Sequence, residues 1–170
     1  MSNSLAVRYA LVLLLGLLNS LPLMAQSVKP TLPLTSTLRA HALRLRPGDD
    51  LREALLAYVA QQHLGAAAVL TCVGSLTVTT LRLANQEGAT EYRGHFEIVS
   101  LVGTLSATGG SHLHLSVADS TGRTLGGHLL AGCRVYTTAE VVLVALPELE
   151  FTRETDPTFG YKELLVKPKK

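Results

Sequence analysis

The stretch Ser111-His112-Leu113-His114-Leu115-Ser116-Val117-Ala118, followed at once by Asp119-Ser120-Thr121-Gly122, leaves the chain little choice of local structure. Polar and apolar residues alternate with a period of two, the period of a strand and not of a helix. Leu113, Leu115 and Val117 therefore share one face, and His112, His114 and Ser116 share the other. The turn is specific as well: a type I turn followed by glycine in the left-handed position makes a three-residue hairpin loop closed by a bulge. In that register Asp119 pairs with Arg123, and His128 falls opposite His114. Directly opposed residues share a face, with Cβ atoms roughly 4.5–5.5 Å apart. His112, His114 and His128 then lie within reach of a single ion. A two-residue loop would move His128 to the Leu113 face, so the cluster depends on Gly122.

The rest of the chain fits around this hairpin as an α+β domain, a mainly antiparallel sheet with one main flanking helix. His41 to Arg46 alternates and stops at Pro47-Gly48, a short strand and a turn. Asp49 or Asp50 can cap the next element, where Leu51, Leu55, Tyr58 and Val59 recur at helical spacing. Gly65 is the expected helix stop. Ala66 to Val73 is a continuous small-apolar run, the mark of a central strand buried on both faces. Gly74-Ser75 is expected to break it before a Thr/Val-rich strand from Thr77 to Leu83. Phe96 to Ser106, Thr124 to Val135 and Ala139 to Leu146 read as further strands, with a turn possible at Thr137–Glu140. Phe151 to Asp156 and Tyr161 to Val166 are expected as an edge and a last short segment.

The N-terminus has a different character. Arg8 precedes the unbroken apolar run Ala10 to Leu18, which is followed by Asn19, Ser20 and Pro22. The run is about half of the roughly twenty residues that span a bilayer. Residues 1–25 are therefore expected to be a secretory signal peptide ending at Leu23-Met24-Ala25, with a secreted or periplasmic destination. The alternative is an uncleaved, membrane-anchoring segment. Residues 26–38, with Pro30 and Pro33 among Ser and Thr, read as a flexible lead-in. The domain proper is expected over 39–150 and a C-terminal extension over 151–170, where Lys162, Lys167, Lys169 and Lys170 form a solvated tail.

Composition narrows the function classes. The 170 residues carry 15 Lys plus Arg against 13 Asp plus Glu, and only 16% are charged. A 47% hydrophobic content excludes a disordered chain. The near balance of charge argues against a nucleic-acid binder that works by bulk charge. Two cysteines cannot build a four-thiolate zinc site. Cys72 and Cys133 both sit in apolar runs and read first as small buried hydrophobes, although export would permit a disulfide between them.

Three imidazoles with an open fourth position suit zinc or another divalent transition metal. The ordinary alternative is three polar side chains on a half-exposed sheet face. A catalytic zinc would need a general base. Glu97 and Glu140 are the candidates, and spacing selects neither. No nucleophile-elbow, Walker or dinucleotide-binding glycine pattern is present.

Several segments resemble the PPC (plants and prokaryotes conserved) domain. They are Cys72-Val73-Gly74-Ser75-Leu76 with Leu81-Arg82, Gly94 to Leu101 with Gly103-Thr104, His112 to Asp119 with Gly122, Gly126-Gly127-His128-Leu129, and Gly132-Cys133. The resemblance implies an antiparallel sheet with a flanking helix that assembles as a homotrimer. It implies partner contacts through Gly94, His95, Phe96, Glu97, Ile98 and Val99, with His95 standing where the plant proteins have Arg. It also implies a metal at His112, His114 and His128, as in some prokaryotic members. The family is often labelled DNA-binding, but the Arg-Gly-Arg core of an AT-hook is absent here. Three functions follow as expectations: an exported, non-enzymatic, homotrimeric binding protein with a zinc site; a DNA-binding regulator; and, more weakly, a zinc-dependent hydrolase.

Overall fold

The computed structural model describes residues 33–170. The expected signal peptide and most of the expected lead-in lie outside the described residues. Among the described residues, eight strands and one helix follow in the order β1 (Arg39–Leu45), α1 (Leu51–Gln61), β2 (Ala67–Arg82), β3 (Thr90–Ser106), β4 (Gly110–Ala118), β5 (Thr124–Leu129), β6 (Arg134–Ala145), β7 (Leu149–Thr155) and β8 (Lys162–Pro168).

Six strands form one antiparallel sheet in the order β1-β6-β2-β3-β4-β5, and β5 returns to pair with the end of β2. That last pairing joins Leu81 to Leu129 and Arg82 to His128. Strands β2, β3, β4 and β5 therefore close on themselves through these two pairs, which cover the β5 edge at His128 and Leu129. The remaining strands, β7 and β8, pair as a separate two-stranded ribbon.

Helix α1 starts where a carboxylate can satisfy its free amides. Asp50, in extended conformation, accepts from the backbone N–H of Arg52 and Glu53, both at 3.1 Å. Leu51, Leu55 and Val59 form the buried stripe of the helix and join the main core. Burying each contributes about 1.5–3 kcal/mol. The helix stop differs from expectation. It is His63 that takes the left-handed conformation, at φ 51°, and Leu64 N–H donates back to Val59 C=O at 3.0 Å. Gly65 is not needed as the cap.

Two glycines expected to end strands instead let strands run on. Gly74 lies inside the 16-residue β2, at an irregularity against β6. A Cβ there would come within 2.1 Å of Thr138 C=O. The β6 backbone occupies the space that a side chain would need, so the glycine marks a close approach and not a break. The Thr137–Glu140 segment is likewise continuous strand. The turn falls earlier, dividing the expected Thr124–Val135 strand at Leu130–Cys133, where Gly132 has φ 104°. Strand β3 begins at Thr90, six residues before the expected Phe96. Cys72 and Cys133 are both buried, and both are free thiols. Burial raises them to about 12 and about 11 respectively, so neither ionises near neutral pH.

Candidate metal centre

The β4–β5 hairpin has the register that Gly122 implies. Asp119 N–H donates to Arg123 C=O at 3.0 Å, and Gly122 has φ 80°. The Asp119 carboxylate braces the loop by accepting from the Thr121 and Arg123 amides and from the Thr121 hydroxyl. His128 therefore pairs with His114. His112 projects from the same face two residues away, and one ring nitrogen from each histidine lies within 4.8 Å of the other two. The His112 and His128 rings stack at 5.1 Å between centroids, and His114 meets both edge-on at 5.0 and 4.4 Å.

The donor set fits a tetrahedral transition metal. Bonds of about 2.0–2.1 Å need ligand nitrogens about 3.4 Å apart, which modest ring rotations reach from this spacing. Two of the rings are also biased toward the neutral form that a metal requires. Burial, then Arg153 and His114, hold His112 below its ordinary value, against the opposing charge of Glu163. Burial, then Arg82, His114 and His112, do the same for His128.

The closure of the sheet explains why Arg82 is present. Val102 pairs with His114, His114 with His128, and His128 with Arg82, so a single row crosses β3, β4, β5 and β2. Arg153 arrives from β7 and donates to His112 Nδ1 at 3.3 Å and to Lys162 C=O at 2.6 Å. An open groove of about 820 Å³ lies over this side of the cluster, lined by His112, His128, Arg82, Arg153 and Glu163 among others. Sequence reasoning missed Arg82, Arg153 and Glu163. Arg82 was accessible only through the β2–β5 pairing, and the other two only through the β7–β8 ribbon.

Neither sequence candidate for a general base joins the histidines. Glu97 pairs with Ala118 at the far end of β4, and Glu140 lies opposite Arg44 and Val73. Within the segment Gly94–Val99, Phe96 and Ile98 point into the core, while His95, Glu97 and Val99 are exposed. The His95 ring stacks on Tyr136 at 4.3 Å.

Fold and site together define a small antiparallel-sheet domain that presents three histidines as a potential metal-ligand set. The chain belongs to the Plants and Prokaryotes Conserved (PCC) domain family, whose model matches residues 34–147. It is 46% identical over 154 residues to the bifunctional protein GlmU of Synechococcus sp. (strain JA-2-3B'a(2-13)), covering 91% of this chain but only 23% of that protein. A solved structure of a hypothetical protein from Salmonella shares 47% identity and superposes with a TM-score of 0.78, covering 80% of this chain and 98% of that one. A protein from Archaeoglobus fulgidus described as metal-containing has the same fold, with a TM-score of 0.68 at 23% identity over 80% of this chain and 99% of its own.

Proposed function

We propose that this protein is an exported, homotrimeric, non-enzymatic binding module in which His112, His114 and His128 hold one zinc ion with a coordination position left open. The convergence of three ring nitrogens within 4.8 Å carries this reading. The description of the Archaeoglobus fulgidus protein as metal-containing supports it. When bound, zinc supplies Lewis acidity and a position that an exogenous ligand can fill. The chain's own residues orient the imidazoles and flank the opening with guanidinium groups. The absence of Glu97 and Glu140 from the cluster favours binding over hydrolysis, and the near balance of charge disfavours DNA.

An exposed apolar patch on the central strands supports trimer formation. Leu70 and Val73 are 64% and 55% exposed, and Val99 and Val102 are 57% and 52% exposed. The register on either side, Ala68 with Thr104 and Ser75 with Glu97, brings Leu70 level with Val102 and Val73 level with Val99. Four aliphatic side chains in contiguous array on mid-sheet strands are the kind of surface that subunits cover. Export rests on the leader-like residues 1–25. Among the described residues no helix is long and apolar enough to cross a membrane.

Elemental analysis of the purified protein tests the central claim. Wild type is expected to carry about one zinc per chain, and His114→Ala and His128→Ala to lose it while keeping the wild-type circular dichroism spectrum. A wild type that takes up no stoichiometric metal when supplied with zinc overturns the proposal.

A further inference from the structure

We infer that the open coordination position is the seat of a small oxyanion, the carboxylate or phosphate group of a metabolite-sized ligand, clamped by Arg82 and Arg153. This inference rests on the metal reading above. Its starting point is an incompatibility between the metal and one hydrogen bond. Arg153 Nη2 donates to the lone pair of His112 Nδ1 at 3.3 Å. If the metal binds Nδ1, it takes that lone pair. If it binds Nε2, Nδ1 must carry the ring proton, and two donors then face each other. Either way, loading the metal ends this contact and leaves a guanidinium N–H with no acceptor at the mouth of the site.

Arg82 is similarly unspent. It stands opposite His128 in the cross-strand row, and among the described residues its one side-chain hydrogen bond goes to Gln86 C=O at 3.4 Å. Among the described residues neither arginine forms an ion pair with a carboxylate. The nearest carboxylate influence on His112 is Glu163, across the groove. A divalent cation and two guanidinium groups without a carboxylate partner outweigh Glu87 and Glu163, the two carboxylates that line the groove. Arginine's planar fork matches the two oxygens of a carboxylate or phosphate, while a third point of attachment is the metal itself. The groove volume of about 820 Å³ suits a metabolite that carries such a group, and is larger than a bare ion requires.

The test uses full-length protein loaded with cobalt(II), whose visible absorption changes when an oxygen ligand enters its coordination sphere. Inorganic phosphate and malonate serve as separate titrants, and the one that binds more tightly identifies the group. Wild type is expected to give a saturable spectral change with at least one of them. Arg82→Gln and Arg153→Gln are expected to keep one cobalt per chain and to weaken that binding by about tenfold each, the loss of one charge-assisted contact. Failure of wild type to bind cobalt brings down the metal reading and this inference with it. Cobalt binding without a response to either anion overturns this inference alone. So does a response that both arginine variants leave unchanged.

Discussion

Asp50 shows how much one side chain can hold in this domain. One carboxylate oxygen caps α1 through Arg52 and Glu53, and the other accepts from Gly132 N–H at 2.6 Å in the β5–β6 turn. Helix start and turn are thus fastened to each other. Asp50→Ala is expected to cost about 2 kcal/mol, a cap plus one charge-assisted bond, measurable as a lower urea midpoint at unchanged m-value. Glu148 does similar work at the other end of the sheet, accepting from the Thr37 amide and hydroxyl at 2.9 and 2.8 Å and from the Ser36 hydroxyl. These donors, the Ser36 hydroxyl foremost, lower its carboxyl from 4.5 to about 2. A depressed carboxylate favours the folded arrangement above its unfolded value and loses that contribution as pH falls through the folded value. The Thr37 amide resonance is therefore expected to titrate near pH 2. A midpoint near 4.5 would show that the clasp does not exist in solution. The histidines were legible at this scale because alternation alone puts His112 and His114 on one face. Arg153 was not, since nothing local ties residue 153 to residue 112.

Among the elements, the hairpin of β4 and β5 was readable because the chemistry of its turn dictates its register. Gly122→Val, which removes the residue that holds φ 80° at the bulge, is expected to favour a two-residue loop within the same chain, shift the register by one and move His128 to the Leu113 face. Metal binding would vanish while the sheet persisted, which zinc analysis beside circular dichroism would show. Retained stoichiometric zinc would mean that the cluster does not depend on this register. Other boundaries were misread because a glycine within a strand has two meanings. Gly103, like Gly74, admits a neighbouring backbone: a Cβ would approach His112 C=O to 2.0 Å, and its φ is 134°. Gly103→Ala should destabilise the β3–β4 pairing by several kcal/mol, combining the backbone clash with an unfavourable φ. Sequence alone marks such a glycine as punctuation, because the strand that needs the space is another segment. The same limit hid the β7–β8 ribbon, whose residues look like an isolated edge until Leu149 to Thr155 is matched with Lys162 to Pro168.

For the whole molecule, the patch of Leu70, Val73, Val99 and Val102 is the surface where assembly should occur. Light scattering is expected to report the mass of three chains for wild type and of one chain for a Leu70→Asp/Val73→Asp double variant that remains folded. A wild-type monomer at micromolar concentration would remove the trimer from the proposal. The closed arrangement of β2, β3, β4 and β5 has a further consequence, for the time course of folding. The hairpin can form early, since its two strands are separated by one short loop, but the pairing of Arg82 with His128 joins residues far apart in the chain. Loop-closure entropy makes such distant pairings slow to form. The ring of strands is therefore completed late, and only then does Arg82 stand beside the imidazoles. Two histidines from β4 and one from β5 would already be together in an unfinished intermediate. A metal captured there would act as a folding clamp before the anion-binding half of the site existed.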